Sequence, residues 1–298
     1  MLSINIPVYN YEVTDLVAQL TKQASSLLID YEIRVYDDNS VEPVKQKNRE
    51  LTSLKHVIYR ELGKNLGRSA IRNKMGLESK YRWLLFIDAD SKLISEDYLR
   101  TYINKAEPEC VLCGGTAYNP QKPNKPKKLL RWVYGKKREA IPAAERNRKK
   151  IFIITSNNFL IEKEVFKIIH FSENIGPYGH EDTLLGYELY SSGIKITHID
   201  NPVEHAGLED SEVFLSKSRE ALKNLKFISE EIADNKTEFS QQITFLNRYK
   251  KITLLIPHFL LRCLFYLFKK CIERNLTTKN PRLIWFDFYR LGYFSTIK

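Results

Sequence analysis

Asp88 and Asp90 follow the apolar run Trp83 to Ile87 with no turn residue between run and carboxylates. On an extended chain residues two apart share a face, so the two carboxylates repel unless something positive lies near them. Hard divalent cations take carboxylate oxygens, and Mg2+ usually combines one or two of them with substrate phosphates. The plainer alternative is that the pair caps the helix beginning near Ser95 or lies in water. A second acidic pair, Asp37 and Asp38, ends another apolar stretch just before Asn39-Ser40. A carboxylate there either accepts a hydrogen bond from a nucleobase N–H or a ribose hydroxyl, or forms a turn and N-cap. The stretch "NLGRSAIRN", starting at Asn65, puts Gly67 and Arg68 at a helix mouth and Arg72 one turn inside. Helix N-termini and arginines favour phosphate, although a charged amphipathic helix reads the same way. Glu181-Asp182 opens a later helix, where a carboxylate acts as a base or stabilises the first turn.

These residues fall at the ends of regular elements. From the start to about residue 116, short apolar runs alternate with helix-length segments. "LSINIPV" reads as a strand ended by Pro7, "YEIRVYDDNS" and "KHVIYREL" as strands, and "YRWLLFIDAD" as a fourth. Helical spacing fills the intervals, including "SEDYLRTYINKA", before the strand "CVLCGG". Such alternation predicts an α/β fold with a mainly parallel, doubly wound sheet and helices on both faces. Ligands bind such sheets outside the carboxyl ends of their strands, where Pro7 to Asn10, Asp37 to Ser40 and Asp88 to Asp90 all lie. A strand and helix return at "IFIITSNNFLIEKEVFKII"; "GPYGHEDTLLGYELYSSG" is a glycine-rich loop opening a helix, and "IKITHI" is a final strand. Beyond about residue 210 the pattern is helical. The expected organisation is a domain over 1–210, divided at 116 and 150 by a basic loop (117–150), then a helical C-terminal extension over 211–298.

The chain has 298 residues and a net charge of +11. The charge is local: residues 121–150 hold twelve Lys/Arg, ending at Lys150, against Glu139 and Glu145, so this stretch alone carries +10. Its Pro- and Lys-rich part, "NPQKPNKPKK", reads as a long mobile loop. Cys110 and Cys113 form a CxxC, but with no second pair nearby the segment reads as a strand entering a glycine turn. Four cysteines in this length do not make a disulfide scaffold. The N-terminus lacks a basic n-region and an apolar h-region, so no secretory signal is expected.

The order "IPVYN…VYDDNS…NLGRSAIRN…FIDADS…GHED" over roughly residues 1–210 resembles the family-2 glycosyltransferases, nucleotide-sugar-dependent enzymes of the GT-A fold. The resemblance implies a Rossmann-like GT-A sheet and a nucleoside diphosphate sugar as donor, a UDP-sugar being the expected case. It places Pro7, Tyr9 and Asn10 near the nucleoside and Asp37 and Asp38 on the base. Asn65, Arg68 and Arg72 fall by the nucleotide, and Asp88, Ala89 and Asp90 by the ribose and diphosphate. It also implies a divalent cation, Mn2+ or Mg2+, with Asp90 as direct ligand, Asp88 as its partner and His205 completing the shell. Asp182 matches the catalytic base, with Glu181 and His180 toward the acceptor. The chemistry implied is single displacement with inversion onto a hydroxyl of a cell-surface glycan or its lipid-linked precursor.

Three features depart from the pattern. The Gln/Arg-x-x-Arg-Trp motif of processive polymerases is missing, since Arg131-Trp132 precedes the Glu-Asp, and no multi-span domain follows. Both favour addition of one or a few sugars. Glu162-Lys163 stand where many relatives carry two basic residues. The tail "ITLLIPHFLLRCLFYLFKKCI" reads either as a core helix or as a helix lying in a membrane interface; its charges and Pro257 oppose a full span. Together with Trp132 and Tyr134 among the lysines, it suggests peripheral attachment to an anionic membrane, placing the protein in the cytoplasm at the inner face of the cell membrane. The rival readings are a non-catalytic nucleotide-sugar binder, a sugar nucleotidyltransferase, and a nucleic-acid-binding protein using the basic loop. Nucleic acid is the weaker partner, because acidic strand ends without a metal repel phosphate.

Overall fold

A computed structural model describes residues 1–149, 152–176, 178–232 and 235–297. Its strands are β1 (Leu2–Val8), β2 (Tyr31–Asp37), β3 (Val57–Glu61), β4 (Trp83–Ile87), β5 (Ser91–Leu93), β6 (Cys110–Cys113), β7 (Thr116–Ala117), β8 (Asn158–Glu162), β9 (Lys195–His198) and β10 (Val203–His205). The helices are α1 (Thr14–Ser26), α2 (Glu42–Asn48), α3 (Arg68–Glu78), α4 (Tyr98–Lys105), α5 (Leu129–Tyr134), α6 (Ala143–Lys149), α7 (Lys163–Ile168), α8 (Glu181–Ser191), α9 (Ser211–Phe227), α10 (Lys236–Gln242), α11 (Thr244–Thr253), α12 (His258–Leu276) and α13 (Leu283–Thr296). They fall into two compact units. The first holds residues 1–119, 139–173 and 181–207, the second 120–138, 174–180 and 208–298.

The first unit is built on a sheet of order β3-β2-β1-β4-β8-β6-β9, parallel except for β8, which runs against both β4 and β6. Alternation along β4 loads both faces: Leu85 and Ile87 join one core, Leu84 and Phe86 the other. Leu16, Val17 and Leu20 of α1 and Tyr98 and Leu99 of α4 close the first face. Val165 and Phe166 of α7 and Leu185 and Leu189 of α8 close the second. Strands covered on both sides read as continuous apolar runs, which is why the buried strands were legible. The carboxyl ends of β1, β2, β4, β6 and β9 share one edge of the sheet, and the reversed β8 brings its start there too, with Asn158 opposite Ile87.

Several local expectations change. β1 continues one residue past Pro7 to Val8, because beyond Asn5 it pairs with β2 alone among the described residues and a missing N–H is tolerated there. The helix expected near Ser95 is α4, which starts at Tyr98; β5, paired antiparallel with β10, lies between it and the aspartates, so Asp88 and Asp90 do not cap it. Neither short strand shows a periodicity long enough to read. The stretch 117–150 is also more ordered than its composition suggests. It carries β7, a 3₁₀ turn at Pro126–Lys128, α5 and α6; Lys150 lies outside the described residues. The apolar pair Leu129-Leu130 explains α5, since Leu130 enters the second unit's core. Several of its cations have fixed partners, even where they stay exposed. Arg146 is half-buried and donates to the carbonyls of Cys113, Gly114 and Ile199, while Lys127 pairs with Asp210 at 2.6 Å and Arg138 with Asp287 at 3.0 Å.

The second unit is helical. Its core gathers Leu130, Phe214, Leu215, Phe265, Ile272, Leu276, Phe286 and Tyr289 from α5, α9, α12 and α13. In place of a single boundary at residue 210, this unit therefore takes in 120–138 and 174–180 as well as 208–298. Asn224 of α9 anchors the second of these segments by donating to the carbonyls of Gly176, Tyr178 and Gly179.

Candidate active site

The chain reverses its winding direction between β1 and β4, which lie side by side while β2 and β3 extend one way and β8 the other. A crevice opens at such a switch point, outside the strands' carboxyl ends. The loops after β1 and β2 are cross-braced across it. The Asn10 N–H donates to Ser40 Oγ at 2.7 Å, and Asn10 Oδ1 accepts from the Val41 N–H at 2.9 Å. Asn10 takes a left-handed φ of 53°, which asparagine tolerates better than most residues, leaving Tyr9 58% exposed at the rim.

The acidic pair after β2 faces inward. Asp38 receives the amides of Leu66 (2.7 Å) and Gly67 (3.0 Å), and Asn65 Nδ2 donates to the Asp38 carbonyl. Burial raises the Asp38 pKa and the two amides pull against that rise. This carboxylate fixes the turn that delivers α3, with Gly67 at φ 86° allowing the entry. Asp37 is fully buried; its Oδ1 accepts the Ser40 N–H at 2.6 Å, and its Oδ2 has no hydrogen-bond partner among the described residues.

α3 supplies the positive charge that the two aspartates after β4 call for. Arg72 is buried and donates to Asp88 Oδ1, with Arg68 3.8 Å from Asp88 Oδ2. Arg68 also donates from Nε to Glu181 Oε1 at 2.7 Å, so one guanidinium links β4's end to the start of α8. Ala89 is packed into the core and turns the chain so that Asp90 parts company with Asp88. Asp90 Oδ2 lies 3.3 Å from His205 Nδ1, and the Ala206 N–H donates to the Asp90 carbonyl at 2.8 Å. Gly207 is in close contact: a Cβ there would come 2.1 Å from Asp90 Oδ2. His205 Nε2 is buried without a hydrogen-bond partner among the described residues, and the Tyr118 ring lies edge-on to the imidazole at 5.6 Å.

An adjacent carboxylate and imidazole, with one buried ring nitrogen unsatisfied, suit a divalent cation. Among the described residues no three His, Cys, Asp or Glu side chains gather at one point, so such an ion would have two protein ligands and would draw the rest from phosphate and water. Asp88, engaged by two arginines, is placed to hold those arginines rather than the ion. Tyr11, which the sequence reading passed over, has its phenol pKa raised by burial and then by the charge of Asp90.

At the start of α8 two adjacent carboxyls are driven apart. Burial alone would raise Glu181, but the charges of Arg68 and Arg72 outweigh it and hold that pKa down at about 2. Asp182 goes the other way, to about 7, raised by burial and by the Glu181 charge against the pull of Arg68 and the amides of Thr183 and Ser156. A carboxylate ionised at low pH beside one that titrates near neutrality divides structural from proton-transfer work. His180, at φ 66°, precedes them in sequence and belongs to the second unit.

The Glycosyl transferase family 2 profile matches residues 3–169, which take in the acidic pairs and α3 and stop short of Glu181, Asp182 and His205. No curated protein sequence matches the chain. In fold it is similar to the mannosyltransferase PcManGT from Pyrobaculum calidifontis, solved in complex with GDP-Man and Mn2+. That likeness has a TM-score of 0.58 at 13% identity, covering 98% of this chain and 85% of the other. It is similar also to TarS of S. aureus, with a TM-score of 0.51 at 17% identity, over 83% of this chain and 43% of TarS, so it spans under half of that protein. With the profile covering more than half of its length, the chain belongs to glycosyl transferase family 2 and has a GT-A fold.

Proposed function

We propose that this glycosyltransferase is inverting and metal-assisted, moving a sugar from a nucleoside diphosphate sugar to a hydroxyl of a cell-surface glycan or its lipid-linked precursor. The observation that carries the reading is Asp182, a carboxyl whose pKa is lifted to about 7 at the helix start that Arg68 ties to the strand end bearing Asp88. A base of that pKa is half ionised near neutral pH and accepts a proton more readily than an ordinary aspartate. Asp182 removes the proton of the acceptor hydroxyl as that oxygen attacks the anomeric carbon, and the diphosphate leaves from the opposite face with inversion. Glu181 stays ionised and holds Arg68 beside Asp88, where an arginine favours the diphosphate of the donor. A Mn2+ or Mg2+ ion on Asp90 and His205 would neutralise charge on the leaving diphosphate. Support for a nucleotide-sugar donor and a divalent ion comes from PcManGT, which was solved with GDP-Man and Mn2+.

The test is Asp182→Asn in a transfer assay, paired with thermal shifts across nucleoside diphosphates and their sugars, with and without Mn2+. We expect turnover to fall by about 10²–10⁴-fold while metal-dependent stabilisation by one nucleotide persists. Unchanged turnover removes Asp182 as base. A protein that no nucleotide stabilises, with or without metal, removes the donor class.

A further inference from the structure

The second unit carries an apolar surface that transfer chemistry does not use. The break at Pro257 bends α11 and α12 by 106°. Leu254 and Leu255, at the elbow, are 79% and 85% exposed. On α12 the buried side chains Phe265, Ile272 and Leu276 follow one stripe, packed with α13 in the unit's core. The opposite side of the helix presents Phe259, Leu260, Leu264, Tyr266 and Leu267 to solvent. A core helix hides its apolar residues, whereas α12 leaves a second apolar face in solvent. No single helix among the described residues is long and apolar enough to cross a membrane.

The charge pattern selects the occupant. From Phe239 to Ile272 there is no Asp or Glu, whereas Arg248, Lys250, Lys251, Arg262, Lys269 and Lys270 fall within that span. Lys250 and Lys251 are exposed just before the elbow, and Lys270 is exposed on α12 after its apolar turns. An apolar face with cations along its margins suits an interface where acyl chains lie beneath anionic headgroups. We propose that the α11–α12 elbow and the outer face of α12 seat the protein on a bilayer containing anionic lipid. Leu254, Leu255 and Phe259 enter the acyl boundary, and Lys250, Lys251 and Lys270 meet the lipid phosphates. This surface is distinct from the crevice and does not depend on the proposed reaction.

The experiment is co-sedimentation of the full chain with phosphatidylcholine vesicles, with and without about 30% phosphatidylglycerol, combined with light scattering to establish oligomeric state. We expect binding to the anionic vesicles, weakened by salt. Leu255→Asp with Phe259→Asp should cut the partition roughly 100-fold, at about tenfold per withdrawn side chain, with an unchanged melting midpoint. Lys250→Glu with Lys251→Glu, which alters only exposed groups, should weaken binding to the anionic vesicles and leave the phosphatidylcholine control unchanged. Failure of the wild-type chain to sediment with anionic vesicles overturns the proposal, as does equal binding by the Asp variant. A wild-type dimer that the Asp variant dissociates, without vesicle binding, assigns the face to a second copy and also overturns it.

Discussion

Replacing Glu181 by Gln tests the division of labour at the start of α8. The amide keeps the shape, and its oxygen can still accept from Arg68 Nε, now 2.7 Å from Glu181 Oε1. What disappears is a negative charge beside Asp182. For carboxyls on consecutive residues about 6 Å apart, an effective dielectric near 20 gives an interaction of about 2.8 kcal/mol, or roughly two pH units as an upper bound. Solvent at the crevice lowers this toward one unit. Arg68, no longer neutralised, acts in the same direction, because its charge already lowers the Asp182 pKa. The sign follows from the role: a base must be ionised, so kcat/KM rises with pH through the Asp182 pKa, about 7 in the wild type. In the variant that rising limb should move to about pH 5–6. At pH 8 the rate should drop only modestly, because a less basic carboxylate accepts a proton less readily. The assay is the pH profile of kcat/KM for both proteins at saturating metal. A limb that stays near 7 in the variant refutes the electrostatic coupling, and with it the assignment of that limb to Asp182.

Other substitutions probe the supports of the site. Asp38→Ala leaves the amides of Leu66 and Gly67 without their acceptor and should cost about 1–3 kcal/mol in chemical denaturation, lowering turnover through misplacement of Arg68. His205→Ala should raise the Mn2+ concentration for half-maximal activity by roughly 10–100-fold, read from a metal titration, while the melting midpoint without metal changes little. Gly186→Ala would put a Cβ 1.9 Å from the Phe152 carbonyl oxygen, a backbone atom that cannot swing aside. It should lower stability by about 1–3 kcal/mol and shift α8, which differential scanning fluorimetry and the transfer rate would both register.

Much of the fold could be read because buried parallel strands are short apolar runs and their crossover helices have a clear period. The Trp83–Ile87 strand is of this kind, while Leu2–Val8 and Tyr31–Asp37 alternate apolar residues with Ser3, Asn5, Glu32 and Arg34. β5, β7 and β10 are two or three residues long and take their structure from one another, so nothing local announces them. The ordering of the basic stretch was hidden for a related reason: Arg146 looks like a solvated cation until its distant carbonyl partners are known. At the site, the types and spacing of Asp88, Asp90 and Glu181-Asp182 were enough to raise the chemistry. Their allocation was not legible. That Asp88 takes the arginines while Asp90 takes the histidine depends on contacts 16 residues away in one case and more than a hundred in the other. The two aspartates do not share one partner: each has its own.

The reversed strand has a consequence for how such a site diversifies. In a wholly parallel sheet only the segments leaving the strands open onto the crevice. Here β8 begins where its neighbours β4 and β6 end, so the chain just ahead of Asn158 reaches that rim as well. Ser156, whose amide bonds Asp182, lies in that approach. Changes in length or composition upstream of β8 can therefore reshape the surroundings of Asp182 without altering a single strand register, so the acceptor side proposed here can vary while β1, β2 and β4 stay fixed.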